Sequence, residues 1–143
     1  MARIPEQVRL ALYGKLNVAA VTASVGTRIY YGVAPESAST PFIVFTRSLP
    51  GRLSYVLTGA TALEDDLWMV TVATTEDDDA TKSPPALGTR ILRDAETAIG
   101  NVLTLSSNTV TWCARFAYTP PVAENVNDRL VWKHGFLLRV GAE

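Results

Sequence analysis

A chain of 143 residues with 48% hydrophobic content fits one ordinary domain with a substantial core and leaves no room for a second. Charged residues make up 19% of it and the formal net charge is -1, which argues against disorder and against a general attraction to nucleic acid. The single cysteine, Cys113, excludes an internal disulfide and suits a reducing cytoplasm. Arg3, Pro5, Glu6 and Arg9 interrupt any N-terminal apolar run, and no stretch reaches the roughly 20 apolar residues that span a bilayer, so a soluble protein without a signal sequence is expected.

Pro5 opens a predicted helix in which Val8, Ala11, Leu12 and Leu16 recur at three- and four-residue spacing through Asn17. Val18 to Val25 is small and apolar and ends at Gly26, the pattern of a short helical turn or an extended connector before an Arg28–Tyr31 strand. After a Ser/Thr-rich loop bracketed by Pro35 and Pro41, Phe42 to Phe45 has the β-branched and aromatic residues of a strand. Ser48 to Glu64, with Pro50-Gly51 and Gly59, reads as a long arm, part of which can extend a hairpin. Asp66 to Thr74 alternates with apolar residues on both sides, as a central strand does.

A second arm, Thr75 to Pro84, carries Glu76-Asp77-Asp78-Asp79. Leu87, Ile91, Leu92, Ala95, Ala98 and Ile99 then form a helical stripe that stops at Gly100. Thr109 to Tyr118 and Arg129 to Val140 alternate as an antiparallel pair, with Pro120-Pro121 through Asn127 as the expected connection. Two amphipathic helices can cover one face of such a sheet. The expected fold is therefore α+β, a two-layer sandwich of a mainly antiparallel four- to five-stranded sheet with two helices on one face, a single domain over residues 1–143. The other sheet face mixes Thr111, Arg115, Arg129, Lys133 and Arg139 with Met69, Val131 and Leu137, so it meets either water or another subunit.

Chemistry-bearing motifs are sparse. The one histidine, His134, falls on the apolar face of the last strand between Trp132 and Phe136, where a packed core or edge histidine is the expected reading. Cys113 reads as packing. One His and one Cys do not make a usual zinc site, and Glu76–Asp79 lacks the alternating ligands, turn glycine and distal glutamate of a calcium loop, so no metal and no cofactor are expected. No glycine-rich phosphate cradle is present, and the basic residues are scattered.

The order of the pieces is more informative. The first helix closing on Leu16, then Gly26-Thr27-Arg28-Ile29-Tyr30, Val33-Ala34-Pro35 and Thr40-Pro41-Phe42-Ile43-Val44-Phe45, resembles the opening of the tail-terminator, or tail-completion, family of long-tailed bacteriophages and prophages. The long arm, the central strand, the helix from Pro85 to Ile99 and the closing strand pair follow the same plan. That resemblance implies a non-enzymatic subunit made in the host cytoplasm and built into the virion at the head-proximal end of the tail. It implies a homo-oligomeric ring, usually a hexamer, that caps the tail tube, ends its polymerisation and offers a surface to the head connector or neck protein. DNA is met only in passage through the channel, and no membrane is involved. It carries over no active site.

Within that expectation the candidate assembly residues are Arg52, Tyr55, Val56 and Leu57 in the first arm, Asp77, Asp78 and Asp79 in the second, and Arg129 and Lys133 on the open sheet face. Tyr55 to Leu57 either meets a neighbour or packs a hairpin onto its own subunit. The acids either face a partner's arginines or line the channel. Two alternatives stand beside this reading: another head-tail connector or neck protein, and a small cytoplasmic enzyme in which Asp66, Asp77 and Glu124 converge.

Overall fold

Side-chain periodicity sorts the chain into three helices and five strands. The computed structural model describes residues 4–55, 62–100, 102–106, 110–126 and 128–142. In chain order the elements are α1 (Ile4–Leu16), α2 (Ala19–Val25), β1 (Ile29–Tyr31), β2 (Phe42–Tyr55), β3 (Ala62–Thr74), α3 (Pro84–Ile99), β4 (Val110–Val126) and β5 (Arg129–Ala142). The strands form one mixed sheet in the order β1-β2-β3-β5-β4, in which β1 runs parallel to β2 and every other pair is antiparallel. The α+β architecture expected from the sequence is thus present.

The helices carry their own start and stop signals. Ser83 caps α3 by accepting a hydrogen bond from the Ala86 N–H, and Pro84-Pro85 occupies the first turn, where a missing N–H leaves no bond unmade. Gly26 and Gly100 end α2 and α3 at φ 60 and 63, backbone angles at which a Cβ is strained, and each returns its N–H to a carbonyl of the last turn. The segment 19–25 is helical because Val21 and Val25, four residues apart, both reach the core, which makes α2 a third helix beside the expected two.

The core lies between the helices and one face of the sheet. Val8, Leu12 and Leu16 of α1 and Leu87, Ile91, Ala95 and Ile99 of α3 meet Ile43, Phe45, Trp68, Val70, Val72, Phe136, Leu138 and Val140. Each large side chain so buried contributes about 1.5–3 kcal/mol. The helix α1 packs over β1 and β2, whereas α3 packs over β3 and β5, and this leaves the edge strand β4 uncovered. On the opposite face Val44, Thr46, Leu67, Met69, Thr71 and Leu137 are half-exposed.

The sequence misleads on the last connection. Residues 120–126 are not a loop: β4 continues its ladder to Val126, opposite Arg129, so that the turn is tight. Pro120-Pro121 sits where the register shifts between Thr119 and Val122. A bulge on an edge strand is where a ladder tolerates residues without an N–H. At that point the Thr119 hydroxyl accepts from the Gly135 N–H at 2.8 Å and donates to the Gly135 carbonyl at 3.3 Å. A side chain thereby satisfies both backbone groups of Gly135. Another shift, between Val110 and Trp112, changes the parity of β4 and lets both Val110 and Cys113 face the core.

Candidate functional site

Because β5 pairs with β3 only as far as Trp132 opposite Thr74, its first residues and the end of β4 run on as a two-stranded ribbon past the sheet. The ribbon exposes Val126 and Leu130, and Val122 is exposed on β4 just before it. The β2–β3 hairpin turns at the other end of the sheet. Most of the expected first arm is therefore ladder, with Arg52 opposite Asp65 and Tyr55 opposite Ala62. Val56 and Leu57 lie outside the described residues.

The second arm is pinned by its own hydrogen bonds. Asp78 accepts from the Thr75 N–H at 2.7 Å and from the Thr40 hydroxyl at 2.8 Å, tying the turn after β3 to the loop before β2. Asp79 accepts from the Thr81 N–H and hydroxyl at 2.8 and 2.6 Å, and these bonds hold its carboxyl below the ordinary value. Asp77 bonds the Arg129 guanidinium, and Lys133 reaches Glu124 at 3.1 Å. The structure thus brings Asp77, Arg129, Lys133 and Glu124 to one end of the molecule, around the ribbon. All four are exposed enough that each pair contributes no more than about 1 kcal/mol.

Asp66 is elsewhere. It lies near the start of β3, 2% exposed on the helix-covered face, and accepts from Arg47 Nη2 at 2.8 Å and Nε at 3.2 Å. Asp66 and Asp77 thus lie near opposite ends of β3, and the three carboxylates weighed for an enzyme do not gather. Among the described residues no group of three or more His, Cys, Asp or Glu is placed to hold a metal ion, and no helix is long and apolar enough to cross a membrane.

Sequence reasoning missed a groove of about 400 Å³ between α3 and the uncovered β4, lined by Leu92, Arg93, Glu96, Tyr118, Pro121 and His134. It exists because α3 sits over β3 and β5. No local pattern reveals where a helix will lie across a sheet. His134 forms part of the groove wall, is 7% exposed, and abuts α3 at Gly88, where a Cβ would stand 2.4 Å from the imidazole Nε2. Burial lowers its pKa below the ordinary 6.5, and the nearby Gly88 backbone opposes the shift.

The sign of the resulting pH dependence follows. As pH falls below 6.5 the unfolded chain takes up its histidine proton before the folded chain does. Stability therefore falls through the window between 6.5 and the lower folded value, and is regained above it. Urea midpoints measured from pH 7.5 down to 5 should show this fall, and His134→Asn should flatten it.

No family model and no curated protein sequence matches the chain. Among solved structures, it is similar to a chain of the virion of a native gene transfer agent particle, with a TM-score of 0.71 and 18% sequence identity over 100% of this chain and 99% of that one. At that identity the likeness is one of fold, and it covers both chains end to end.

Proposed function

We propose that the protein is a structural subunit of a phage-like particle and that it forms a ring capping the tail tube, where it stops tube growth and presents the docking surface for the head connector. The observation that supports a virion subunit is the end-to-end fold likeness to a virion chain, and the capping role is drawn from the resemblance of the order of elements to tail terminators. The exposed ribbon and the half-apolar open sheet face are surfaces of the kind that assembly covers. The ring is homo-oligomeric. Its partners are the tube protein on one side and a neck protein on the other, and its place is the head-proximal end of the tail.

The assembly role falls on the β2–β3 hairpin with Arg52 and Tyr55, on Asp77 to Asp79, and on Arg129 and Lys133. The test is the mass of the purified protein with and without tail tubes, together with electron microscopy for rings. Binding to tubes that lack heads is expected of a cap. A protein that binds only head connectors is a neck component instead. Reversing the charge at Asp77 and Asp79 should weaken tube binding at least tenfold if the acidic turn takes part, and unchanged binding removes that turn from the mechanism.

A further inference from the structure

Two exposed apolar sets lie on opposite edges of the sheet. On the β4 edge and its ribbon, Tyr118, Val122, Val126 and Leu130 are 63%, 55%, 42% and 44% exposed. On the β1 edge, which α1 covers, Tyr13, Tyr31 and Val33 are 43%, 49% and 83% exposed. Tyr31 stacks on Phe45 and Trp68 from the rim of the core, with Arg9 over its ring at 5.3 Å. The two edges also differ in charge. Around the ribbon, Glu76–Asp79, Glu124 and Asp128 outweigh Lys82, Arg90, Arg129 and Lys133, whereas on α1 Arg9 and Lys15 outweigh Glu6.

Two different patches of opposite charge balance, on opposite sides of one protomer, are what a head-to-tail contact between identical copies requires, whereas a two-fold contact uses one patch twice. We infer that the β4–β5 ribbon of one copy docks on the α1–β1 edge of the next, with Val122 and Val126 against Tyr13 and Tyr31 and the acidic turn beside Arg9 and Lys15. The inference rests on the ring reading above and specifies which surfaces make the ring. Pro120-Pro121, just before these residues, removes two backbone donors from the edge and so disfavours extension of a neighbour's sheet along β4.

The test uses the full chain and two variants at exposed positions, Val122→Asp with Val126→Asp on β4 and Tyr13→Asp on α1, with far-UV circular dichroism and thermal melts to show that both remain folded. Native mass spectrometry and light scattering at about 100 µM should find the wild type as a closed oligomer and each variant as a monomer. Each variant keeps one good surface, so mixing the two should give a one-to-one dimer that grows no further.

A wild-type oligomer that survives both substitutions, or two monomeric variants that fail to pair on mixing, overturns this interface while leaving the capping reading standing. A monomeric wild type also overturns it. Cosedimentation of that monomer with tail tubes from the parent particle then decides separately whether the capping reading falls.

Discussion

Gly135→Ala should cost at least about 3 kcal/mol and lower the melting temperature by roughly 10 °C. Gly135 lies in β5 between β3 and β4, and a Cβ built on it stands 2.0 Å from the Val70 carbonyl oxygen and 3.0 Å from the Thr71 Cα. Both contacts are backbone in the neighbouring strand, so no side chain can swing aside. Relief requires the strands to separate where the ladder is covered by α3. The Thr119 hydroxyl, bonded to both backbone groups of Gly135, is disturbed by the same movement. Gly14→Ala is the matched control: Gly14 lies within α1 with nothing inside 4 Å of the added carbon, so the substitution should stabilise by about 0.5–1 kcal/mol through helix propensity. Urea unfolding of the three proteins checks the pair, and a Gly135→Ala midpoint within error of wild type would show that the sheet opens there at little cost.

Trp68 carries the second large effect. Among the described residues it is the largest fully buried side chain, 0% exposed on β3, with Tyr31 stacked at 6.2 Å. Trp68→Ala should destabilise by about 3–5 kcal/mol through lost transfer energy and the cavity left beneath α1 and α3. Trp68→Phe should cost much less than its lost volume suggests. The indole Nε1 is buried and has no hydrogen-bond partner among the described residues, so removing it also removes a desolvated donor of about 1–3 kcal/mol. A Phe variant as damaged as the Ala variant would show that the N–H is satisfied in solution. If the unfolding energy is at the lower end of the usual range, about 5 kcal/mol, the Ala variant falls near the edge of folding.

These two positions also mark what the sequence can and cannot say. Trp68 was legible, because a strand alternating from Asp66 to Thr74 puts it on the same face as Val70 and Val72. So was α3, whose apolar stripe, first-turn prolines and terminal Gly100 all agree. Gly135 was not legible as special, since the carbonyl it must clear belongs to a residue 65 positions earlier, Val70, and only the register of β3 with β5 brings the two together. The turn built from Thr40, Thr75 and Asp78 was hidden for the same reason, its hydroxyl and carboxylate being 38 residues apart in the chain.

Pro120-Pro121 misled in a different way. In isolation it is a breaker, and the expected loop through Asn127 follows from reading it so. On the outer strand of a sheet the same pair can sit in a register shift and let the ladder resume. For the proposed assembly surfaces the sequence supplied the acidic turn and the two basic residues Arg129 and Lys133. It did not show that they meet around one ribbon, because that depends on β4 and β5 outrunning β3.

The interrupted edge strand has a consequence for the unassembled protein. At 17 residues, β4 is the longest strand of the fold, and it is an edge strand with no further strand paired to its outer rim among the described residues. Left regular, such a rim recruits strands from other molecules and seeds fibrillar aggregates. Two adjacent residues with no N–H, set in a shifted register past the middle of that rim, deny an incoming chain the run of donors it needs. A register shift with two residues that lack an N–H, at Pro120-Pro121, is thus a feature that works against fibrillar pairing along this strand.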